Sequence, residues 1–329
     1  MFSISIATMA GLSLVMVFIL VLAYKRFAVK PNPLEKKIRS LLPGANCGAC
    51  GYPGCDAFAA AVAKKEASPE GCPVGGPDMA VKIGEILGIK VERGEKRVAF
   101  LLCQGGTDIV KEKAEYRGIE TCRAANLIAG GTKACPYGCL GFGDCEKACP
   151  FDAIEMSSNN LPIIDREKCT GCGICVEVCP RDVLTLIPIS KMVYLACNSL
   201  DKGKTVRLVC RFGCFSCNIC IKVCPYDALT MEDNLPRMDL EKCTDCGICY
   251  YKCPSKSYID FTPQRPKAFI KEGCNGCHEC SKVCQFKAIE GKEGEVHRVL
   301  PEKCVGCGEC ALVCPINVIE MLAPEEVKI

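Results

Sequence analysis

Cysteine dominates the chemistry that this sequence could perform. The chain has 329 residues, of which 32 are Cys, and many of these form triplets in which two other residues separate successive Cys. The clearest run is Cys169-x2-Cys172-x2-Cys175-x3-Cys179, which Pro180 follows at once. Regular copies of this run begin at Cys214, Cys243, Cys274 and Cys304, and an incomplete copy begins at Cys139. Three thiolates so spaced can bind three corners of one iron–sulfur cube, and a distant fourth can complete it.

The run C-x2-C-x2-C-x3-C-P binds [4Fe–4S] clusters in bacterial-type ferredoxins, in which the fourth Cys ligates the other cluster of a pair. We apply this exchange to the motifs, paired in order along the chain. The second pair predicts one cluster on Cys214, Cys217, Cys220 and Cys253, and another on Cys243, Cys246, Cys249 and Cys224. The third pair predicts clusters on Cys274, Cys277, Cys280 and Cys314, and on Cys304, Cys307, Cys310 and Cys284. Gln285 replaces the usual Pro there, which changes the exit turn but removes no ligand.

The first pair of motifs is irregular, because Phe142 stands where the second Cys of its first motif should be. Cys135 is the nearest spare thiol, so the predicted ligands of this cluster are Cys135, Cys139, Cys145 and Cys179. The partner cluster is predicted on Cys169, Cys172, Cys175 and Cys149. Together with an N-terminal site described below, these sets give seven expected [4Fe–4S] clusters.

Four thiols remain outside these sets, namely Cys103, Cys122, Cys197 and Cys210. Cys103 and Cys197 end two similar segments, 97–103 and 192–197, which read as strands in corresponding parts of an internal repeat. If those strands pair or lie side by side, the four thiols meet and an eighth cluster is possible; otherwise they are ordinary small apolar side chains. Cys122-x12-Cys135 has the same spacing as Cys197-x12-Cys210, so Cys122 and Cys135 could exchange roles.

A separate group of four thiols lies nearer the N-terminus, at Cys47, Cys50, Cys55 and Cys72. We interpret it as one more [4Fe–4S] site, with a structural zinc ion as the alternative. An Ala-rich helix is predicted over about 56–66 with Asp56 as its N-cap, and a second helix over Pro77 to Leu87 that Gly88 ends.

A membrane anchor is predicted at the N-terminus. Residues 4–24 carry no charge and are about long enough to cross a bilayer as a helix. Basic residues follow at once: Lys25, Arg26, Lys30, Lys36, Lys37 and Arg39. By the positive-inside rule this end faces the cytoplasm, with Tyr24 at the interface. A cleaved signal peptide is the alternative, but no basic residue precedes the apolar run and no convincing A-x-A site follows it. We therefore expect a single-pass protein of the plasma membrane whose Cys-rich part is cytoplasmic.

The expected fold is α+β, with an N-terminal transmembrane helix, a small helical Fe–S domain and three serial dicluster ferredoxin units. In these units, phrases such as 151–154 and 226–229 predict a short helix followed by a short strand. The predicted domains are the anchor at 1–27, the four-Cys domain at 28–95, strand, linker and first unit at 96–190, strand, linker and second unit at 191–262, and the third unit at 263–329.

Composition excludes several other classes of protein. The chain has no Trp, 12 Phe and 9 Tyr, so its apolar cores should be small and metal–thiolate bonds should supply much of the cohesion. A net charge of +3 gives no nucleic-acid signal. Disulfides would satisfy only two of three thiols that meet at one point, and zinc sites use pairs of Cys rather than triplets. His278 and His297 are expected at the surface rather than as ligands. With no dinucleotide fingerprint and no catalytic triad, we predict an electron relay that has no substrate-converting site of its own.

The order of these parts resembles the B subunit of the Rnf complex. The resemblance rests on the N-terminal apolar helix, the Cys47–Cys72 group with its core Cys50-Gly-Tyr-Pro-Gly-Cys55, and the serial ferredoxin motifs, and it covers essentially the whole chain. The Cys47–Cys72 group also looks like the four-iron domain of corrinoid iron–sulfur proteins. Three ferredoxin units, where short members have one, resemble the long form found in anaerobes.

This resemblance implies a role in a membrane-bound ferredoxin:NAD+ oxidoreductase that couples electron transfer to Na+ or H+ translocation. It implies soluble ferredoxin as the electron donor, and other Rnf-type membrane subunits, including a flavin and NAD subunit, as partners. A self-contained, membrane-anchored polyferredoxin carrier for another redox enzyme would share every motif and is the alternative.

Overall fold

The computed structural model describes residues 2–27 and 32–323, with side chains described from residue 9 onwards. Lys30, which belongs to the predicted basic flank, lies outside the described residues. The chain divides into two compact units, Met1–Arg93 and Gly94–Ile329.

The first unit is helical. Its helices are α1 (Phe2–Phe27), α2 (Pro33–Leu41), α3 (Cys55–Ala63) and α4 (Gly76–Leu87), with one 3-10 turn at Pro69–Gly71. The predicted apolar helix is therefore present as α1. The part Met9–Phe27 is long and apolar enough to cross a membrane and none of it is buried inside the protein, although a signal sequence would pass the same test.

The three shorter helices enclose a small core in which thiols take part. Ile38 of α2, Phe58 of α3 and Ile83 of α4 are almost fully buried and pack in one cluster with Cys55 and Cys72. The helix α4 ends as predicted, because Gly88 adopts the left-handed conformation (φ 67°) that a C-cap requires.

The prediction of Asp56 as an N-cap was wrong. Gly54 occupies the cap position of α3, and Asp56 lies in the first turn of the helix. Its carboxylate instead accepts from Arg39 Nε of α2 at 2.6 Å, so that it joins two helices rather than ending one. The helix also stops at Ala63, short of the predicted end at residue 66.

The second unit repeats one arrangement of short elements in three successive segments. The first segment comprises β1 (Arg97–Leu101), α5 (Cys122–Leu127), α6 (Asp144–Lys147), β2 (Ile154–Met156), β3 (Pro162–Ile164), α7 (Ile174–Glu177) and β4 (Leu184–Pro188). The second comprises β5 (Val193–Leu195), α8 (Gly203–Val209), α9 (Ile219–Lys222), β6 (Leu229–Glu232), β7 (Leu235–Met238), α10 (Ile248–Lys252) and β8 (Tyr258–Asp260). The third comprises β9 (Lys267–Ile270), α11 (Glu279–Val283), β10 (Ile289–Glu290), β11 (Arg298–Val299), α12 (Glu309–Leu312) and β12 (Ile319–Leu322).

Each segment closes on itself through its strands. The first strand of a segment pairs with the last, as β1–β4, β5–β8 and β9–β12, and the two middle strands form a hairpin, as β2–β3, β6–β7 and β10–β11. All six pairs are antiparallel. Of the two arrangements considered for the strands 97–103 and 192–197, direct pairing with each other does not occur. Corresponding strands of a repeat have corresponding partners, and here each pairs with the last strand of its own segment.

The prediction of short helices before the hairpin strands was also wrong. Asp152 and Asp227 have φ of 48° and 49°, so the chain makes a left-handed turn there and enters β2 and β6 directly. Asp tolerates this conformation better than most residues. The helices lie instead at the third Cys of each triplet, as in α7, where Cys175 is the second residue.

Candidate metal centres

The triplet loops owe their shape to residues with positive φ. In the Cys169 loop, Gly171 has φ 70° and Gly173 has φ 84°, in the left-handed region that favours glycine. Gly173 is the N-cap of α7 and brings Cys175 into the first turn of that helix. The other loops repeat this positive-φ cap at Gly143, Asn218, Gly247, His278 and Gly308. The three thiols of a triplet thereby lie around one space.

One cavity of about 320 Å³ is lined by Cys149, Cys169, Cys172 and Cys175. The structure thus brings together the four thiols predicted for this cluster, including the one exchanged from the other motif. The N–H of Ala99 in β1 donates to Cys169 Sγ at 3.4 Å. Burial, together with the neighbouring thiols of Cys169 and Cys172, raises the pKa of Cys175 to about 12. Several thiolates in one buried place require a cationic partner, which the irons of a cluster provide.

A second cavity of about 330 Å³ in the first segment is lined by Cys122, Cys139, Cys145 and Cys179. The structure differs here from the predicted set in one residue, because Cys122 takes the place given to Cys135. Thr121 caps α5 and Asp144 accepts from the N–H of Arg123 at 3.1 Å, which fixes Cys122 beside the Cys145 loop. Burial and then the thiol of Cys122 raise the pKa of Cys145 to about 11.

Cys135 lies instead with three of the four thiols that the motifs left over. Cys103, Cys135, Cys197 and Cys210 line a cavity of about 400 Å³. They meet although β1 and β5 do not pair, because both strands end at this cavity and the two linkers return to it. Burial raises the pKa values of Cys135 and Cys197 to about 12 each. Like the cavities that the ferredoxin motifs form, this one is lined by four thiols.

Lys133 is a functional candidate that sequence reasoning missed. Its side chain is only 2 % exposed and lines the cavity of Cys103 and Cys135. Its ammonium donates to the carbonyl of Gly105 at 2.9 Å and lies close enough to lower the pKa values of Cys139 and Cys210, although burial raises both. A buried ammonium beside four thiols suits a site that carries negative charge. Only its burial in the folded chain distinguishes Lys133 from the other lysines, and the sequence carries no signal of that burial.

In the second segment, the thiols of each predicted set lie near one another. Burial and then the thiols of Cys220, Cys253 and Cys217 raise the pKa of Cys214 to about 11. Cys217 is exposed, whereas Cys214 and Cys220 are buried. For the other set, burial raises the pKa of Cys246, and the thiols of Cys224 and Cys243 raise it further. In both sets the fourth thiol comes from the other motif of the pair.

The third segment repeats this exchange. A cavity of about 360 Å³ is lined by Cys284, Cys304, Cys307 and Cys310. Cys274 and Cys277 lie beside Cys280, where they add to the rise in pKa that burial causes in that thiol. Cys314 packs in the same apolar cluster as Cys280. Its predicted place as the fourth ligand of that set stays a prediction.

In the N-terminal unit, the structure brings Cys50 and Cys55 to Cys72, where both add to the effect of burial in raising the pKa of the Cys72 thiol. Asn46 Oδ1 accepts from the N–H of Cys55 at 2.9 Å and ties the start of the loop to its end. Cys47 lies in the same loop, directly after Asn46, and is partly buried. The group fits the donor set of one cluster.

The thiols are spread around cavities rather than converging on points. Within the part of the chain that the structure describes, no group of three or more His, Cys, Asp and Glu side chains is arranged to hold a single metal ion. A four-iron cube binds each thiolate at a different corner, so its ligands need not converge as the four ligands of a zinc ion must. The residues present therefore fit cubes.

The two histidines do not match the expectation that both lie at the surface. His297 is only 2 % exposed, and its Nε2 lies 2.8 Å from Nδ1 of the partly buried His278. His297 covers Gly291, where a Cβ would lie 2.9 Å from the imidazole. The small glycine thus makes room for the buried ring.

The thiol sets of the second unit follow one another in a row. Thiols of successive sets lie near enough for one to raise the pKa of the other, after burial: Cys145 acts on Cys175, Cys103 on Cys139, Cys214 on Cys197, Cys220 on Cys249, Cys246 on Cys307, and Cys280 on Cys310. Hydrogen bonds join the Cys103 set directly to the sets on either side of it. The N–H of Cys139 donates to Cys103 Sγ at 3.4 Å, and the N–H of Cys214 donates to Cys197 Sγ at 3.3 Å. The cavity of Cys103 and Cys197 therefore lies between the first and second segments.

Comparison with known families agrees with these groups. Residues 42–74 match a family described as a putative Fe–S cluster. Families described as 4Fe–4S dicluster domains match residues 134–186, 168–229, 213–257 and 273–321.

Several known proteins are similar over most of the chain. The B subunit of the Na+-translocating ferredoxin:NAD+ oxidoreductase complex of Acetobacterium woodii is 43% identical over 71% of this chain and 71% of its own length. The B subunit of the ion-translocating oxidoreductase complex of Methanosarcina acetivorans is 44% identical over 77% of this chain and 96% of its own. The B subunit of the proton-translocating ferredoxin:NAD+ oxidoreductase complex of Clostridium ljungdahlii is 47% identical over 73% and 86%.

Proposed function

Because this chain belongs to the family of B subunits of Rnf-type, ion-translocating ferredoxin:NAD+ oxidoreductase complexes, we propose that it relays electrons from soluble ferredoxin to membrane subunits of such a complex. It is the iron–sulfur subunit of an oxidoreductase. Its partners would include a flavin and NAD subunit, and electron flow through the whole complex would drive translocation of Na+ or H+.

The observation that carries this proposal is the row of thiol sets. A relay requires neighbouring redox centres, and each set of the second unit adjoins the next through a pair of named thiols. We assign two clusters to each of the three segments, with the fourth thiol of every cluster exchanged within its segment. The Cys47–Cys72 group would hold a further cluster in the first unit.

We further propose an eighth cluster on Cys103, Cys135, Cys197 and Cys210. It is supported by the cavity that these thiols line and by Lys133, whose buried ammonium has no carboxylate partner among the described ion pairs. Charges removed from water are costly unless an opposite charge lies nearby, and a thiolate-bound cluster is anionic. In this assignment, Cys122 completes the set of Cys139, Cys145 and Cys179, and all 32 Cys are ligands.

The residues of the chain would perform the relay by holding each cluster and tuning it. Such clusters carry single electrons at potentials that charge, hydrogen bonds and exposure determine. The thiolates fix the positions of the centres, and N–H donors such as Ala99 stabilise added negative charge at sulfur. Apolar residues such as Val98 and Ile187 exclude water from the Cys169 site.

The membrane end of the relay would be α1. Its last turn carries Lys25 and Arg26, and by the positive-inside rule the following Cys-rich units would lie in the cytoplasm of a single-pass protein. A plasma membrane location would bring the chain to the membrane subunits of the complex.

The experiment compares the wild-type complex with a Cys210→Ser variant, with Cys122→Ser as the matched control. Iron and acid-labile sulfide should fall from about 32 to about 28 atoms each per chain in either variant. In Cys210→Ser the row is divided between the first and second segments, so reduced ferredoxin should rapidly bleach only the clusters on its own side. Ferredoxin-dependent NAD+ reduction should fall at least tenfold.

Two results would contradict the proposal. Full iron content in Cys210→Ser would show that Cys210 is not a cluster ligand and would refute the eighth cluster. Unchanged NAD+ reduction in a variant that has lost that iron would show that electrons do not pass along this row.

A further inference from the structure

The position before the third Cys is acidic in both loops of the third segment, whereas among the other loops only the irregular Cys139 loop has an acidic residue there, Asp144. In the Cys169, Cys214 and Cys243 loops this position is apolar, occupied by Ile174, Ile219 and Ile248. Ile248 is only 1 % exposed. In the third segment the same position is acidic in both loops, as Glu279 and Glu309. A carboxylate therefore lies beside each cluster site where the second segment has a hydrocarbon side chain.

The two carboxylates have different surroundings. Glu279 forms an ion pair with Lys282, one helical turn away at the surface, at 2.5 Å. Glu309 has no such cation among the described ion pairs and is partly buried. Its Oε1 instead accepts from the hydroxyl of Tyr226 at 2.8 Å. Tyr226 belongs to the second segment, two residues after Cys224, so this hydrogen bond crosses between segments.

Several other contacts fix this junction. Gln285, which stands where the motif usually has Pro, donates from Nε2 to the carbonyl of Val223 at 3.1 Å. Its own carbonyl accepts from Lys252 Nζ at 2.9 Å, and the same ammonium lies 4.5 Å from the ring centre of Phe286. A proline at 285 could not make the side-chain contact. The substitution that leaves the ligands intact thus joins the second and third segments.

The carboxylate of Glu309 lies next to a cluster site on each side of the junction. Glu309 lines the cavity of Cys284, Cys304, Cys307 and Cys310. Through its hydrogen bond from Tyr226, two residues after Cys224, it also adjoins the Cys246 set of the second segment. One negative charge is therefore shared by two adjacent sites.

A fixed negative charge makes an electron harder to add nearby. Two unit charges interact by roughly 332/(εr) kcal/mol, so at an effective dielectric constant of about 20 the effect remains considerable over several ångströms. Partial exposure of Glu309 reduces it through screening. A charge on a mobile side chain would have a diffuse effect, but the hydrogen bond from Tyr226 holds this one between the sites.

We propose that Glu309 is a potential-tuning residue, held in place by Tyr226, which lowers together the reduction potentials of the Cys246 and Cys307 clusters. The inference rests on the proposed electron relay and deepens it. It makes the junction between the second and third segments a step at which electrons do not accumulate. Glu279 in the equivalent position tunes only its own cluster, and weakly, because Lys282 offsets its charge.

The test is a redox titration of the intact chain, followed by electron paramagnetic resonance, in Glu309→Gln and in the matched control Glu279→Gln. Gln keeps an oxygen that can accept from Tyr226 but removes the charge. In Glu309→Gln, two electron equivalents per chain should titrate at higher potential. Their reduced-to-oxidised ratio should rise about tenfold at a fixed ambient potential, which is about 59 mV for a one-electron couple. Glu279→Gln should shift at most one equivalent, and by less.

Tyr226→Phe separates charge from contact. It keeps the carboxylate but releases it, so the same two equivalents should shift in the same direction by less than in Glu309→Gln. A purely structural role for the hydrogen bond predicts instead that Tyr226→Phe changes stability while both potentials stay at wild-type values. That result, or an unchanged titration in Glu309→Gln, would overturn the inference.

Iron analysis keeps this outcome distinct from failure of the relay itself. If the wild-type chain lacks clusters at Cys246 and Cys307, the proposed function fails. If both clusters are present in wild type and variants and no potential moves, only the role of Glu309 fails.

Discussion

Substituting Gly171 should test how tightly a cluster loop is fitted against the strand that closes its segment. Gly171 lies between Cys169 and Cys172 with φ 70°. A Cβ at this position would lie 2.3 Å from the backbone carbonyl oxygen of Arg97 and 3.1 Å from its carbon. That oxygen belongs to β1, which is paired with β4, so it cannot turn away as a flexible side chain would.

Two costs combine in Gly171→Ala. The left-handed backbone costs a residue with a Cβ about 1–2 kcal/mol. Forcing a methyl group into a filled site costs about 1–3 kcal/mol more. We therefore expect a total of about 2–5 kcal/mol. The matched control is Gly308→Ala, in another cluster loop, where φ is 83° but nothing lies within 4 Å of the added Cβ. It should lose only the backbone part, about 1–2 kcal/mol.

The assay is the rate at which the fully loaded chain loses its visible iron–sulfur absorbance in denaturant without oxygen. Because cofactor loss is irreversible, a rate describes stability here better than an equilibrium. The extra steric cost predicts that Gly171→Ala loses absorbance about ten times faster than Gly308→Ala, since 1.4 kcal/mol corresponds to a factor of ten. Displacement of β1 should also break the bond from Ala99 N–H to Cys169 and shift the potential of that cluster. Equal rates in the two variants would refute the steric reasoning.

Three further predictions follow from other parts of the chain. Deleting residues 2–27 should release a brown protein from membranes, because α1 is the apolar helix; sedimentation of the variant with membranes, at wild-type yield, would contradict the anchor. Cys224→Ser should damage the cluster of Cys243, Cys246 and Cys249 and spare that of Cys214, Cys217 and Cys220, as site-resolved spectroscopy can show; loss of the latter cluster would refute the exchange of ligands. Burial raises the pKa of Asp260, but hydrogen bonds from Arg265 and Thr262 outweigh it and lower the value. The stability that this carboxylate adds should be complete above about pH 3.9 and disappear as pH falls through its lower folded pKa. Asp260→Ala leaves Arg265 buried without its partner at 2.6 Å and should cost about 3–5 kcal/mol in unfolding measurements; a loss below about 1 kcal/mol would contradict this.

The sequence was most informative where chemistry depends on local spacing. Each C-x2-C-x2-C triplet determines its own loop, and the exchange of the fourth thiol follows from the pairing of successive motifs. The structure brings Cys149 to the Cys169 loop and Cys284 to the Cys304 loop accordingly. The helices α1 and α4 were likewise predictable from apolar composition and the stop at Gly88.

Spacing could not decide between Cys122 and Cys135. Both precede Cys139 within one linker, and the repeat at Cys197 and Cys210 has the same interval, so each assignment satisfied the pattern. The path of the chain distinguishes them. Thr121 starts α5 beside Asp144, whereas the turn that ends at Cys139 brings Cys135 towards Cys103, with both sulfurs within 4 Å of an added Cβ at Gly138.

Contacts between residues far apart in the sequence could not be predicted, because only the folded chain brings them together. Lys133 and His297 belong to residue types that are usually exposed or partly exposed, and only tertiary packing buries them. The strands of residues 97–101 and 193–195 were recognisable as corresponding parts of a repeat, but equivalence does not specify which strand each one meets.

The exposure of Cys217 bears on the sensitivity of the protein to oxygen. All cysteines lie in the described part of the chain, and Cys217 alone among them is exposed. Its set lies in the interior of the row, so electrons still in transit pass close to solvent there. Dioxygen could accept an electron there without entering the protein. This would produce superoxide instead of passing the electron on, and would begin to damage the cluster. The insulation of the row is thus weakest near its middle, and damage by oxygen should start at Cys217 and disconnect the two ends.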